Sequence, residues 1–341
     1  MRLTIKEIAK LAGVSQSTVS KIINNYSDVG EETKKRVREI MNEKGYRPSY
    51  SAKTLASNVT NVIGVVYAGK VNVGFNHPFF VDVMDVFKKT IGHLGYDLMF
   101  FSNENFNRDN EDYLARCLHY NVDGCIIIGG EDIQESVFDL AESYIPCIGI
   151  DIKLAGEKSG YVMTDNYKVS SKIVEYYYLL GHRDIAYIGG KKESVIADIR
   201  LQGFKDVMQQ YGLPLNNEMI IYGDFNEASG YAAMQKLINM NKRPTAIFAA
   251  SDTIAFGAIQ ACKEADLNIP ENFSIIGCDD IMAAKHIDPP LTTVRQDKDR
   301  IGVLAARMLH DLIKGNINST SVLVDPELII RKSSGAKKVL V

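Results

Sequence analysis

Short polar side chains and one lysine are concentrated in a single stretch near the start of the chain. The stretch TIKEIAKLAGVSQSTVSKIIN contains Ser15, Gln16, Ser17, Thr18, Ser20 and Lys21. Hydroxyl and amide groups can exchange hydrogen bonds with base edges, and a lysine ammonium can pair with phosphate. A helix that only covers a surface would more often carry Glu and Lys pairs. The composition therefore favours contact with nucleic acid over an amphipathic helical hairpin that has no chemical role.

A second set of reactive side chains stands at the ends of apolar runs. Asp151 follows PCIGI, Asp279 follows FSIIGC, and Arg200 begins RLQGF. Asp165 lies further along, where the chain is expected to cross between two halves of the body. Carboxylates and a guanidinium are planar groups that can bind pairs of hydroxyls at two points, as a sugar presents them. These residues predict a carbohydrate site.

Phenylalanines add apolar faces to this set. Phe79, Phe80 and Phe225 could each supply a flat surface for a sugar ring. Core packing is the alternative for Phe79 and Phe80, and the sequence alone leaves the two interpretations open.

Other chemical motifs in the chain are incomplete. Gly64 to Lys70 nearly matches a phosphate-binding loop, but Val71 stands where a hydroxyl would hold magnesium. The six histidines have no metal-ligand spacing, and no Ser/His/Asp set or pair of catalytic carboxylates can be assembled. The five cysteines lie far apart, mostly in or beside apolar runs, as reduced buried thiols do. We therefore expect no cofactor, no metal and no enzymatic activity.

Helical signals place the polar stretch in a small head that spans residues 1–46. Thr4 and Glu7 predict a capping box, and Gly13 supplies the positive φ of a tight turn between two helices. Ser15 is expected to cap the second helix, and a third helix is predicted over residues 31–44. Residues 1–60 contain 11 Lys or Arg and 6 Asp or Glu, whereas the remainder of the chain contains 28 Lys or Arg and 36 Asp or Glu. A basic head on an acidic body fits contact with phosphates.

Residues 47–60 are predicted to form a linker between the head and the body. Pro48 ends the preceding helix, and residues 51–56 could form one or two helical turns, which are too few to be stable alone. Leu55 with its small neighbours suits an apolar wedge for the minor groove, where such wedges unstack a base step. An ordinary interdomain linker is the alternative.

Apolar runs that alternate with helical patterns indicate an α/β body with parallel sheets buried on both faces. The runs VIGVVY, DLMFF, DGCIII and PCIGI are followed by a second series, DIAYIG, MIIY, TAIFAA and FSIIGC. Two subdomains are predicted, residues 61–163 with 295–325 and residues 164–294 with 326–341. Ligands bind beyond the carboxyl ends of parallel strands, so the cleft between the halves is the expected site. The chain has no apolar run of about 18 residues and no signal peptide, which predicts a cytoplasmic protein without a membrane span.

These motifs together resemble the LacI/GalR family of bacterial transcription regulators over roughly residues 4–333. The resemblance rests on VSQSTVSKIIN, NHPFF, LGHRDIAYIGG, RLQGF, ASDTIAFGA, IIGCDD and PPLTTVRQ. It implies a helix-turn-helix head of three helices and a periplasmic-binding-protein-like body of two doubly wound parallel-sheet subdomains. It also implies a repressor that binds a palindromic operator in double-stranded DNA and is controlled by a small effector. The tail GAKKVLV carries no heptad repeat, which favours a homodimer over a tetramer.

The resemblance also assigns residues. Those expected at DNA are Thr4, Ser15, Gln16, Ser17, Thr18, Ser20, Lys21, Asn24, Ser51, Lys53, Leu55 and Ala56. Leu55 matches the leucine that family members insert into the minor groove from a hinge helix. Those expected at the effector are Phe79, Phe80, Asp151, Asp165, Arg200, Phe225, Ser251, Asp279 and Gln296. Within this set, Asp151, Arg200, Phe225 and Asp279 match effector-contacting positions of sugar-responsive relatives.

Two departures from the family pattern bear on the effector. Purine-responsive relatives carry an arginine six residues before the one matching Arg200, and Ser194 stands there in this chain. The lactose repressor has phenylalanine where this chain has Lys298, and a lysine at a sugar site would favour an acidic or phosphorylated sugar. The expected effector is therefore a sugar or sugar phosphate. The alternative is a sugar-binding receptor of the same body fold without a DNA role.

Overall fold

The computed structural model describes residues 3–23, 26–47, 59–69, 77–101, 112–130, 133–192 and 194–337. The chain divides into two compact units. Residues 1–61 contain the head and the linker, and residues 62–341 form the body. Five residues expected at DNA lie outside the described residues: Asn24, Ser51, Lys53, Leu55 and Ala56.

The described residues of the head form three helices, α1 (Ile5–Ala12), α2 (Gln16–Ile23) and α3 (Glu31–Glu43). The expected capping box is present, and Gly13 ends α1 with φ 66° in the left-handed region. Ser15 caps α2, because its Oγ accepts a hydrogen bond from the Thr18 backbone N–H at 3.1 Å. Small and branched apolar side chains from all three helices form one core: Ile8, Ala9, Ala12, Val19, Ile22 and Val37.

The body has two lobes, each built on a sheet that is mostly parallel. The elements of the N-terminal lobe are β1 (Val62–Tyr67), α4 (Pro78–His93), β2 (Asp97–Phe100), α5 (Tyr113–Tyr120), β3 (Gly124–Ile128), α6 (Glu135–Glu142), β4 (Cys147–Ile150) and β5 (Ser159–Thr164). The elements of the C-terminal lobe are α7 (Asn166–Leu179), β6 (Ile185–Ile188), α8 (Val195–Gln210), β7 (Ile220–Ile221), α9 (Glu227–Ile238), β8 (Ala246–Ala249), α10 (Asp252–Glu264), β9 (Ser274–Asp279) and β10 (Thr292–Arg295). The chain then returns through α11 (Lys298–Lys314), β11 (Ser321–Val324) and β12 (Glu327–Ile329).

The strand orders show where the chain crosses between the lobes. The first sheet has the order β11-β5-β4-β3-β1-β2, and the second has the order β12-β10-β9-β8-β6-β7. The chain therefore crosses between the sheets after β5, after β10 and after β11. In the second sheet β12 pairs antiparallel with β10, whereas β9 and β10 are parallel.

Helices cover both faces of the first sheet, so its strands are apolar on both sides. Ile63 and Val65 of β1 face α4 and α11, whereas Val62 and Val66 face α5 and α6. Each buried side chain of this size contributes about 1.5–3 kcal/mol. The five cysteines are all buried free thiols. None of the helices among the described residues has both the length and the apolar character needed to cross a bilayer.

Candidate functional site

A cavity of about 320 Å³ lies between the two lobes at the carboxyl ends of the strands. Its size is at the lower end of the ~300–1,000 Å³ typical of small-molecule sites. Eight of the nine side chains expected at the effector line it: Phe79, Phe80, Asp151, Arg200, Phe225, Ser251, Asp279 and Gln296. Phe79 and Phe80 also belong to the apolar core of the N-terminal lobe, so the two interpretations of these rings are compatible.

A hydrogen-bonded polar cluster forms the inner part of the cavity. Arg200 is only 3% exposed. Its Nε donates to Asn166 Oδ1 at 2.7 Å, and its Nη1 donates to the Ala250 carbonyl at 2.5 Å. Gln296 Nε2 donates to Asp279 Oδ1 at 2.6 Å. These bonds fix a guanidinium and a carboxylate from the C-terminal lobe in place before any ligand binds, which reduces the entropic cost of binding.

Among the described residues, four buried side-chain atoms of the cavity wall have no hydrogen-bond partner. They are Asp151 Oδ1, Gln296 Oε1, His77 Nδ1 and Asp224 Oδ1, the last of which forms an ion pair with Lys191 at 3.2 Å. Burial raises the pKa of Asp151 to about 6, although nearby Arg200 opposes the shift. Burial also lowers the pKa of His77, against the opposing charge of Asp279. Buried polar atoms without partners are costly, so a ligand that supplies hydrogen bonds to them gains affinity.

Backbone strain is concentrated at the same site. Asp151, Phe225 and Asp279 have φ values of 53°, 49° and 122°, which non-glycine residues rarely adopt. The Phe225 ring also approaches Gly190 so closely that a Cβ there would lie 1.9 Å from a ring carbon. Strained conformations persist where the surrounding structure enforces them, and they cluster at ligand sites.

The structure places two of the singled-out residues away from the cavity wall. Asp165 follows β5, a strand that the sequence did not predict, and its side chain caps α7 by accepting a hydrogen bond from the Lys168 backbone N–H at 3.1 Å. Lys298 does not line the cavity either; its Nζ donates to Asp82 Oδ2 at 2.8 Å and to the Asp280 carbonyl at 3.3 Å.

Several side chains that line the cavity were not among those predicted to contact the effector. The additional ones from the N-terminal lobe are His77, Ile133, Phe138, Ile152 and Lys153, and those from the C-terminal lobe are Ser194, Val195, Ile196 and Asp224. Phe138 and Val195 lie on helices, where the rule for strand ends does not apply. His77 could have been found, because it precedes Pro78 in the NHPFF motif at the start of α4. Among the described residues, no group of three or more His, Cys, Asp or Glu is arranged to hold a metal ion.

The head presents the polar side chains of α2 to solvent. Ser15, Gln16, Ser17 and Lys21 are exposed, whereas Thr18 and Ser20 are half-buried. Val19 and Ile22 point into the core of the head. In the free protein the Lys21 ammonium forms an ion pair with Asp28. The surface of α2 is thus ordered and available for base edges or phosphates.

Two family models match the chain. The model for bacterial regulatory proteins of the lacI family matches residues 4–49, and the model for periplasmic binding protein-like domains matches residues 174–334. The chain is also 33% identical over 335 residues to the HTH-type transcriptional repressor PurR of Actinobacillus pleuropneumoniae serotype 3 (strain JL03). That alignment covers 97% of this chain and 98% of the relative. The chain belongs to the LacI family. It is a DNA-binding transcription regulator with a helix-turn-helix head and an effector-binding body.

Solved structures of LacI-family proteins share the architecture over almost the whole chain. The Lac repressor dimer bound to operator and the anti-inducer ONPF has a TM-score of 0.84 at 25% identity, covering 98% of this chain and 100% of that one. The complex of the transcriptional regulator CelR with cellobiose has a TM-score of 0.72 at 26% identity, with the same coverage. The predicted fold class is confirmed.

Proposed function

We propose that this LacI-family regulator is a homodimeric repressor whose affinity for a palindromic operator is controlled by a neutral sugar bound between the lobes. The exposed polar surface of α2 supports placing this helix in the major groove, with Gln16, Ser17 and Lys21 contacting bases. The two-fold symmetry of a dimer requires a matching symmetry in the operator. Because bacterial DNA lies in the cytoplasm, we expect this protein to act there. The proposed role requires no catalytic activity.

The unpaired acceptors of the cavity carry the sugar proposal. Asp151 Oδ1 and Gln296 Oε1 are buried and need donors, which sugar hydroxyls supply. Arg200 and Asp279 stand beside them, and the rings of Phe80 and Phe225 offer apolar faces. CelR, one of the similar structures, was solved with cellobiose. Ser194, which replaces the arginine of purine-responsive relatives, lines the cavity and caps α8 without bringing a positive charge.

A neutral sugar fits the charges better than a phosphorylated one. Asp151 and Asp279 both line the cavity, and their carboxylates repel an anion. Arg200 is already engaged by Asn166 and Ala250, and the ammonium of Lys298 is held outside the cavity by Asp82. Lys153 also lines the cavity, but it is exposed to solvent, so a phosphate group beside Arg200 would meet two carboxylates and a guanidinium that is already engaged.

The effector can act as a switch because its contacts come from both lobes. Asp151 belongs to the N-terminal lobe, Arg200 to the C-terminal lobe, and Gln296 to the segment that crosses between them. A ligand that binds all three favours one angle between the lobes, and it shifts the equilibrium only by its differential affinity for the two states. We propose that this angle determines whether the linkers with Leu55 can fold against bent DNA, as the family resemblance implies.

The DNA part of the proposal is tested by substitutions in the head and the linker. Lys21→Ala should weaken operator binding by roughly 1–3 kcal/mol if the lysine binds a guanine. Leu55→Ala should reduce specific affinity while leaving nonspecific affinity largely intact. Quantitative footprinting on an operator selected from random palindromic duplexes measures both. A footprint that neither substitution changes would exclude this arrangement, whereas the absence of any footprint on palindromic duplexes would favour a receptor without a DNA role.

The effector part is tested by thermal unfolding of the full chain in a ligand library. The library contains neutral sugars, sugar phosphates and purine bases. A ligand at 100 times its Kd stabilises the protein by about 2.7 kcal/mol, which a melting curve detects easily. Stabilisation by neutral sugars supports the proposal, whereas stabilisation by sugar phosphates or purines alone would contradict it.

A further inference from the structure

Two of the segments that cross between the lobes have the same construction. In each of them an aspartate caps the helix that follows: Asp165 caps α7 after β5, and Asp297 caps α11 after β10. The two aspartates share one backbone conformation, with φ and ψ of −67° and 86° for Asp165 and of −74° and 82° for Asp297. Each aspartate is adjacent to a buried side-chain amide, Asn166 in the first crossing and Gln296 in the second. Each crossing segment thus buries one amide group at the junction of the lobes.

The two amides hold two charged groups of the cavity wall. Gln296 Nε2 donates to Asp279 Oδ1 at 2.6 Å. Asn166 Oδ1 accepts a hydrogen bond from Arg200 Nε at 2.7 Å. A donor faces the carboxylate and an acceptor faces the guanidinium, so both bonds are charge-assisted and stronger than bonds between neutral groups. Gln296 itself lines the cavity but Asn166 does not, so Asn166 acts on the cavity through Arg200.

The other side of the Asn166 amide is bonded to the N-terminal lobe. Its Nδ2 donates at 3.0 Å to the carbonyl of Thr164, the last residue of β5. The hydroxyl of the same threonine is buried without a hydrogen-bond partner, a cost that a different arrangement of the crossing would remove. One amide group therefore joins a guanidinium of the cavity wall to the end of a strand in the opposite lobe.

The helices α7 and α8 are also joined by contacts that do not involve this amide. Ser170 Oγ on α7 donates to the carbonyl of Arg200 on α8 at 2.6 Å. Gly203 approaches α7 so closely that a Cβ there would lie 3.1 Å from the Tyr167 carbonyl oxygen. These contacts keep the two helices packed together. What Asn166 adds is a link between the side chain of Arg200 and the crossing segment.

We propose that Asn166 is a positioning residue that transmits the position of the Arg200 guanidinium to the first crossing segment and thereby to the angle between the lobes. This inference rests on the proposed function, because it takes Arg200 as an effector contact. When a ligand moves the guanidinium, the amide must follow it or lose a charge-assisted hydrogen bond. The second bond of the amide then carries the displacement to the end of β5.

A double-mutant cycle on the full chain without any ligand tests the proposal. Spin labels on Tyr144→Cys and Leu215→Cys, which are exposed positions in opposite lobes, report the interlobe distance, and the five native thiols are buried. The cycle compares Asn166→Ala, Arg200→Lys, which keeps the charge but lacks the Nε–H, and the double variant. Each single substitution should raise the population of minor interlobe distances by about tenfold, as expected for the loss of a hydrogen bond to a charged group. The double variant should show no further increase, because both substitutions remove the same link.

Two further variants complete the test. Ser170→Ala removes a buried hydrogen bond between the same two helices and should leave the interlobe distances unchanged. Asn166→Asp is nearly isosteric and keeps an acceptor for Arg200 but loses the donor to Thr164, so it should shift the distances even if Asn166→Ala fails to fold.

Wild-type distances in the Asn166 variants, or additive effects of Asn166→Ala and Arg200→Lys, would overturn the proposal. The distances are measured on the empty protein, so they do not depend on which ligand binds. Binding of purines or sugar phosphates in place of neutral sugars would therefore contradict the proposed function without altering this result.

Discussion

Asp151 combines three features that are unfavourable for folding. Its backbone has a positive φ of 53°, its Oδ1 is buried without a partner, and burial raises its pKa to about 6. A carboxylate that costs stability in the empty protein becomes useful when a ligand hydroxyl donates to it. Sites for ligands are often less stable than the rest of a protein for this reason.

Asp151→Asn should therefore stabilise the empty protein and weaken effector binding. Because the pKa of Asp151 is raised on folding, its carboxyl group does not lower the free energy of unfolding below pH 4, where it is protonated in the folded and unfolded states. The group lowers the free energy of unfolding most above pH 6. The gain in unfolding free energy should grow between pH 4 and pH 6 and then level off, with about 3 kcal/mol as an upper bound. Asparagine tolerates the left-handed backbone, so the loop should keep its shape. Urea unfolding of both proteins at pH 4, 5, 6 and 8 measures the gain.

A difference in stability that did not change with pH would contradict this account of Asp151. The same variant should lose roughly 1.5–3 kcal/mol of affinity for the effector, as expected when a hydrogen bond to a charged group is removed.

The sequence could identify some side chains of the cavity wall but not others. Asp151 and Asp279 follow buried parallel strands, and the carboxyl ends of such strands meet at one edge, so their position was predictable. Asp165 follows a strand as well, yet it caps α7, because the residue before a helix is also the preferred place for an acidic cap. The positions of Phe138 and Val195 at the cavity depend on how two helices approach each other across the cleft, and no local sequence pattern predicts this approach.

At the scale of elements, the proposed role of Lys21 at DNA competes with an ion pair within the head. Lys21 and Asp28 are each about half exposed, with side-chain exposures of 48% and 53%. An exposed pair of this kind contributes little to stability. If Lys21 binds DNA as proposed, a phosphate or base must replace Asp28 as its partner.

Asp28→Asn should increase operator affinity by up to about fivefold, since it removes a weak, exposed ion pair that competes with DNA for Lys21. The gain should shrink as salt is raised, because salt screens the competing pair. Operator titrations at several salt concentrations measure it. Glu43→Gln is a matched control, since Glu43 pairs with Lys44 at the far end of α3 and should leave affinity unchanged. A loss of affinity in Asp28→Asn would show that Asp28 supports the DNA-binding form.

Most helices and strands were predictable because their patterns are periodic and bounded by caps. The helix predicted over residues 31–44 is Glu31–Glu43, and the strand VIGVVY is Val62–Tyr67. β5 was missed because SGYVMT mixes small and polar residues with apolar ones and has no flanking turn signal. The antiparallel pairing of β12 with β10 was also unpredicted, since it depends on the direction in which the returning chain meets the sheet.

At the scale of the whole molecule, Lys298 links the two lobes beside the crossing segments. It begins α11 in the N-terminal lobe and contacts Asp82 on α4, while its Nζ also donates to the Asp280 carbonyl of the C-terminal lobe. Asp280 is itself fixed in its lobe by Arg295 and Arg331. The lysine therefore bridges the two lobes without lining the cavity.

Lys298→Met should loosen the lobes and weaken effector binding by up to about fivefold, because the empty protein then populates other interlobe angles. The inner cluster stays intact, so the variant's preference among sugars should not change. Interlobe distances from paired spin labels, together with effector titration, measure both effects. Lys89→Met is the matched control, because the ion pair of Lys89 with Asp85 lies within α4. Equal interlobe distributions in wild type and Lys298→Met would show that the lysine does not restrain the lobes.

The coupling between the cleft and the operator is the central claim, and one titration tests it directly. Operator affinity of the full-length protein is measured with and without a saturating ligand from the thermal-unfolding screen, and again with Asp151→Asn. The account predicts a change of roughly 5–150-fold for the wild type, corresponding to a coupling of about 1–3 kcal/mol, and a smaller change for the variant, which is less fully occupied at the same ligand concentration. An operator affinity that the bound ligand leaves unchanged in the wild type would contradict it.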